Sequence, residues 1–181
     1  MYVCNPLKIK RMDNFIIKLG SINNGKNCFS FTIKDQFFES CIFQDIKYVD
    51  ISACAIINKD QENISLKLII EGKINKLACD ICADELSIQI SGETNMILKR
   101  TNENLVSNDE IFYIRKNENI LNLKQLIYEL IIVSVPKKRV HPIDKKGNNT
   151  CNQEMVALVK KYTESQKMSS DPRWEGLKNL K

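Results

Sequence analysis

Apolar and polar positions alternate along two long stretches of this chain, and between them lies Cys79-Asp80-Ile81-Cys82. Upstream, Ile64, Leu66, Leu68, Ile70, Ile74 and Ala78 share one parity, with Ser65, Lys67, Glu71 and Lys73 on the other. Downstream, Leu86, Ile88, Ile90, Met96 and Leu98 repeat the pattern against Ser87, Gln89, Glu93 and Lys99. A period of two is that of half-buried strands, so the cysteine pair is expected at a strand-to-strand turn. Residues 48–57 alternate in the same way through Val49, Ile51, Ala53, Ala55 and Ile57, and residues 58–63 read as a polar turn. Residues 15–19 and 28–33 read as shorter strands, separated by a segment whose Asn24-Gly25 pair favours a turn. Residues 35–40 suit a short helical turn, and residues 102–108 a polar loop. Long strands joined by short turns predict an antiparallel meander rather than crossovers. The first 45 residues are expected to extend the sheet, because an isolated pair of short strands is marginal in water.

The period then changes. Asn122 is placed to cap a helix over residues 122–135, with Gln125 as a capping-box partner and Leu121 and Leu126 as a hydrophobic staple. Leu123, Leu126, Ile127 and Leu130 form its apolar face, and Pro136 ends it. A second helix is expected over about residues 151–164, after Thr150 with Gln153 three positions on, carrying a stripe of Met155, Leu158, Val159 and Tyr162. Residues 165–170 read as a linker. Asp171-Pro172 then opens a short helical turn that presents Trp174, Leu177 and Leu180. The expected fold is α+β: an antiparallel sheet, meander or barrel-like, covered by one main helix. It divides into a sheet domain over residues 1–136 and a basic, mostly helical extension over residues 137–181.

The composition, 43% hydrophobic and 27% charged over 181 residues, is that of a soluble globular protein with room for one well-cored domain and an appendage. No apolar run approaches the ~20 residues of a membrane helix, and the N-terminus lacks the order of a secretory signal. A cytoplasmic protein is expected, whose seven cysteines are reduced thiols rather than a disulfide framework. Cys4, Cys28, Cys41 and Cys54 share no ligand spacing and read as small apolar residues. The net charge of +5 is unevenly spread: residues 137–181 hold 11 Lys and Arg against 5 Asp and Glu, whereas residues 1–136 hold 16 against 17. A basic arm on a near-neutral body suits contact with phosphate, although a solvated tail has the same composition. Enzyme chemistry lacks its local parts: there is no G-x-x-x-x-G-K-[ST], no G-x-G-x-x-G and no H-E-x-x-H. A thioredoxin-like role for Cys79 and Cys82 would need a helix N-terminus beside the first thiol, and this pair lies between strands. The protein is expected not to be an enzyme.

Five motifs in order carry a resemblance: the C-x-x-C between strands, Asn108-Asp109-Glu110-Ile111, the segment LNLKQLIYELIIVSVP, a basic and polar stretch with a further cysteine, and DPRWEGLKNL. From about Ile46 onward the chain resembles the YceD family of bacterial and chloroplast proteins, named for a requirement in the accumulation of large-subunit (23S) ribosomal RNA. The resemblance implies a non-enzymatic factor for that rRNA or for ribosome assembly, bound to rRNA or to a pre-ribosomal particle, with no membrane or DNA partner. Many members have arginine before the second cysteine and leucine after it, where this chain has Ile81 and Ala83. Some members carry a richer C-terminal cysteine cluster; here Cys151 stands alone there, and His141 is the sole histidine.

Cys79, Cys82, His141 and Cys151 make a three-cysteine, one-histidine set that suits tetrahedral zinc, although a whole helix separates Cys82 from His141; a reduced thiol pair beside a surface histidine is the other reading. The candidate phosphate contacts are Lys137, Lys138, Arg139, Lys145, Lys146, Lys160, Lys161 and Arg173. Trp174, Leu177 and Leu180 are expected to bury, against their own domain or on a ribosomal or assembly protein. Salt dependence separates the two kinds of complex: phosphate contacts weaken steeply with salt and an apolar groove does not.

Overall fold

A computed structural model of the chain describes residues 9–11, 15–39, 46–60, 63–103, 105–108, 110–144 and 150–165. The strands are β1 (Ile9–Arg11), β2 (Ile16–Lys18), β3 (Gly25–Ile33), β4 (Val49–Asp60), β5 (Asn63–Ala78), β6 (Glu85–Thr101), β7 (Ile111–Arg115) and β8 (Ile120–Asn122), followed by helices α1 (Lys124–Ser134) and α2 (Gln153–Ser165). One sheet has the order β1-β3-β4-β5-β6-β7, and β2 and β8 form a second, two-stranded one.

The alternation does what its period demands. In β3, β4 and β5 the inward positions, among them Phe31, Ile33, Ile51, Ile57, Leu66, Leu68 and Ile70, are all but inaccessible, while the residues between them face out. Burial of these branched chains is the main force holding the body together. β3 and β4 pair antiparallel from Gly25↔Lys59 to Ile33↔Ile51, and β4 and β5 from Val49↔Ile74 to Asp60↔Asn63. In place of the expected turn at Asn24-Gly25, the chain bends at Asn24, and Gly25, at φ +90, is already the first residue of β3.

The fold is nevertheless not the expected α+β arrangement of an antiparallel meander or barrel under one main helix with a mostly helical tail. It is mostly β, with 49% of the described residues in strands and 21% helical. The sheet is mixed and open, because β1 runs parallel to β3 and β7 parallel to β6, in register Ile97↔Ile111 to Thr101↔Arg115. A parallel neighbour ordinarily follows a crossover of a dozen residues or more. Here a tight return replaces it: Asn108 Oδ1 accepts from the Glu110 and Ile111 N–H groups at 3.0 and 2.6 Å, and Ser107 Oγ from that of Tyr113 at 3.0 Å. These local side-chain bonds are invisible to hydrophobic periodicity.

The cover over the core is composite as well. Ile17 of β2, Leu19 and Phe37 of two short 3-10 segments, Phe38 just after the second, Leu121 of β8 and Ile127 and Ile131 of α1 all pack into one apolar cluster with the sheet. β2, expected beside β3, instead pairs with β8 through Ile17↔Leu121. Rings of Phe15, Phe31, Phe37, Phe38 and Tyr128 follow one another at centroid distances of 4.8 to 6.2 Å, within the range of favourable aromatic packing. Asn122 caps α1 as anticipated, its Oδ1 accepting from the Lys124 N–H at 2.9 Å, but Gln125 reaches forward to Glu129 rather than back to the cap. α2 is capped by Asn152, not Thr150, whose hydroxyl donates to the Pro142 carbonyl. Among the described residues no helix is long and apolar enough to cross a membrane.

Near the end of β5 the alternation breaks. Tyr48 and Lys76 lie at φ 55 and φ 54, and Asn75 donates to the Tyr48 carbonyl from both its N–H and its Nδ2 at 3.1 Å. This irregularity shifts the parity of β5 by one residue, so Leu77 and Cys79 are buried and Ala78, expected inside, is exposed. By contacts the chain divides into two units, residues 1–77 with 87–137, and residues 78–86 with 138–181; the apolar core belongs to the first.

Gly72 and Gly92 are the tight points of that first unit. A Cβ on Gly92 would strike Ser134 Oγ on α1, and one on Gly72 would strike the Asp50 carbonyl oxygen and Ile51 Cα of β4. Because backbone cannot step aside as a side chain can, Gly72→Ala is expected to lower the unfolding free energy by about 1–3 kcal/mol. Gly20→Ala, with nothing near its Cβ, should change it by no more than about 0.5 kcal/mol. Urea unfolding of both variants measures this.

Candidate metal centre

The turn that joins β5 to β6 is closed on itself. The Ala83 N–H donates to the Cys79 carbonyl at 2.9 Å and the Cys79 N–H to the Asp84 carbonyl at 3.0 Å. Ala83 takes the left-handed conformation, φ 60, that this closure requires. An L side chain there costs about 1–2 kcal/mol, so the turn geometry is held by its surroundings rather than by local preference.

Residues 138–144 lie alongside. The Asp80 N–H donates to the Arg139 carbonyl at 2.7 Å, and the Arg139 N–H returns a bond to Asp80 Oδ2 at 2.6 Å. Two residues on, His141 reaches the turn. Its Nε2 meets the Glu85 carbonyl at 3.2 Å. A carbonyl only accepts, so Nε2 carries the proton and neutral His141 presents the lone pair of Nδ1. That atom lies 3.4 Å from Cys82 Sγ and 3.6 Å from Cys151 Sγ, and Cys151 Sγ lies 3.7 Å from Cys79 Sγ. Cys151 is delivered just ahead of α2, where Asn152 caps the helix and Gln153 donates to the Cys151 carbonyl.

Three thiols and one imidazole nitrogen thus fall within 4.8 Å of one another, the cysteines buried and the histidine half-buried. Such a set can hold a metal ion through one donor atom from each residue. The four ligand candidates named from the sequence are all brought together, although a helix and 59 residues separate Cys82 from His141.

The electrostatics suit a cation. Burial pushes the Cys79 thiol up, but backbone N–H groups of Cys82, Ile81 and His141 facing its sulfur outweigh this and bring it from 9.0 down to about 6. The His141 imidazole is raised, first by its hydrogen bond with Cys79 and then by the Glu85 carbonyl. Cys151 is raised by burial and by its hydrogen bond with Cys79. Without metal, negative charge therefore collects on Cys79 first.

Of the basic residues singled out in the sequence, Lys137 and Lys138 are exposed, as are Lys160 and Lys161 on α2. Arg139 is half-buried, with its Nη2 3.6 Å from Asp80 Oδ1. Lys145, Lys146, Arg173, Trp174, Leu177 and Leu180 lie outside the described residues. The α2 stripe faces outward in part, with Leu158 and Val159 45% and Tyr162 65% exposed. Sequence reasoning missed Asp80 and the Glu85 carbonyl. An aspartate inside a C-x-x-C carries no signal of its own, and a backbone carbonyl carries none at all.

The Cys79 shift has a direct consequence for pH. With a folded pKa of about 6 against 9.0 for the free thiol, the ionised sulfur favours the folded state fully above pH 9, and that contribution is lost as pH falls through 6. Metal-free protein is expected to show one thiolate, followed by its absorbance near 240 nm, that titrates with a midpoint of about 6. Cys79→Ser should abolish that step, and its survival in the variant would assign the low-pKa thiol elsewhere.

Comparison with curated proteins finds no match, and comparison with solved structures finds none either. A family match does cover residues 66–181, and so includes all four donor residues. It begins somewhat later than Ile46, where the resemblance read from the motifs starts. Spanning well over half the chain, the match shows that this protein belongs to the family described as large ribosomal RNA subunit accumulation protein YceD.

Proposed function

We propose that the protein is a non-enzymatic factor for the accumulation of large-subunit (23S) rRNA, acting in the cytoplasm by binding that rRNA or a pre-ribosomal particle, with its cysteine–histidine cluster holding zinc as a structural pin. Family membership supports the first part. One observation carries the second: the donor separations. Tetrahedral zinc, at about 2.3 Å from sulfur and about 2.0–2.1 Å from nitrogen, sets its ligands about 3.8 Å apart for sulfur pairs and about 3.6 Å for sulfur with nitrogen. Three of the separations match: Cys79 Sγ to Cys151 Sγ at 3.7 Å, and His141 Nδ1 to Cys82 Sγ and Cys151 Sγ at 3.4 and 3.6 Å, with all four donors within 4.8 Å of one another. A bound zinc ion would neutralise the thiolates and cross-link the β5–β6 turn to residues 141–151. Four protein donors fill a tetrahedron and leave no position for a substrate or an activated water, which fits a structural role.

Within this reading the protein's own cations meet phosphate. Lys137 and Lys138 precede His141 in sequence, and Lys160 and Lys161 follow Cys151 on α2; all four are exposed. Lys145, Lys146 and Arg173 complete the set. Such contacts give affinity without sequence specificity. A second reading, docking on a ribosomal or assembly protein without RNA contact, draws support from the exposed Leu158, Val159 and Tyr162.

Metal analysis of the purified, reduced protein is expected to find one zinc per chain, lost in Cys82→Ser and in Cys151→Ser. Wild-type protein that stays metal-free in the presence of zinc would reject the pin. Binding to a large-subunit rRNA precursor is expected to fall steeply between 50 and 200 mM salt, with the log–log slope reduced by about 1.5 in the Lys137→Ala, Lys138→Ala double variant. Absence of binding at low salt would remove direct RNA contact and leave the protein-docking reading.

A further inference from the structure

We infer that Asp80 is the positioning residue of the metal centre, holding His141 against the cysteine turn, and that Arg139 serves this arrangement rather than a phosphate. The inference rests on the zinc reading and concerns how the chain itself prepares the site.

Asp80 lies between two of the donor residues, Cys79 and Cys82, and Arg139 lies two residues before the third, His141. Residues 80 and 139 are joined twice, by the Asp80 N–H to the Arg139 carbonyl at 2.7 Å and by the Arg139 N–H to the Asp80 side-chain Oδ2 at 2.6 Å. The second bond uses a charged acceptor, which makes it stronger than a bond between neutral groups. It also fixes the path of residues 139–141, and with it the N–H of His141 that faces Cys79 sulfur. The imidazole is oriented separately by the Glu85 carbonyl. Asp80 therefore sets where His141 stands, and Glu85 sets how its ring is turned.

The guanidinium contact is the lesser part. It measures 3.6 Å, and the two side chains are 36% and 35% exposed. An ion pair so exposed changes an equilibrium by no more than about fivefold. Outer groups that fix a ligand's position typically change metal affinity by about 10–100-fold. Held beside Asp80, the Arg139 side chain is drawn away from the phosphate-binding role that its place in Lys137-Lys138-Arg139 suggests.

The test uses the full chain and measures zinc affinity by competition with a chromophoric chelator, together with the visible spectrum of the cobalt(II)-substituted protein. Asp80→Ala, which removes both the acceptor and the ion pair, is expected to weaken zinc binding by about 10–100-fold and to diminish the intense absorption of tetrahedral cobalt. Asp80→Asn keeps an acceptor for the Arg139 N–H and should lose less, and Arg139→Ala, which keeps both main-chain bonds, should lose no more than about fivefold. Arg139→Ala should also leave the salt slope of RNA binding unchanged, whereas loss of a phosphate contact would lower it by about 0.7–0.9. Wild-type affinity in Asp80→Ala, with wild-type protein binding zinc normally, overturns the positioning role and leaves the zinc reading standing. Failure of wild-type protein to bind zinc overturns both.

Discussion

A strand can bury only every second side chain, and the body of this protein depends on keeping that rule in step across neighbouring strands. β3, β4 and β5 hold their apolar residues on one side over a continuous antiparallel ladder, and a slip by one residue would turn Ile51, Leu68 and their neighbours to solvent. Gly72 shows how close the strands come, since its missing Cβ is the room that the β4 backbone occupies. The rule is broken at Lys76, and the break has an effect: the parity shift turns Cys79 from the exposed side to the buried one. Without that shift the first thiol of the turn would face outward and Ala78 inward.

The cluster of Cys79, Cys82, His141 and Cys151 is built mostly from main chain. Hydrogen bonds close the turn, join it to residue 139 and lower the Cys79 thiol, and a carbonyl orients the imidazole. Its side chains supply the donor atoms. Buried thiols close enough to share a charge stand apart from the usual fate of buried polar groups, which is to be neutral and paired. A bound cation would resolve this, because it would satisfy all the donors at once and remove the mutual repulsion of their charged forms.

Charge is partitioned along the chain in a way that matches this division of labour. Residues 1–136 are almost neutral and supply the apolar core, whereas residues 137–181 hold the surplus of lysine and arginine. Long-range attraction to a polyanion needs only that such charges be exposed and near one another; it does not need a shaped pocket. Lys137, Lys138, Lys160 and Lys161 are exposed, and Arg139 has Asp80 beside it.

Taken alone, the sequence determined the long strands, the two helices and the position of the cysteine pair at a turn, and it named the four candidate donors, because each is set by local periodicity or by residue type. It also carried the motifs of the family. Tertiary structure decided the rest. The parallel neighbours β1 and β7, the pairing of β2 with β8 and the composite cover over the core depend on which distant segments meet, and alternation is the same for a strand paired either way. The parity shift at Lys76 depends on a contact with Tyr48, far off in sequence. The role of Asp80 arises only when residue 139 is brought beside it, since a hydrogen bond across 59 residues leaves no periodic trace in the chain.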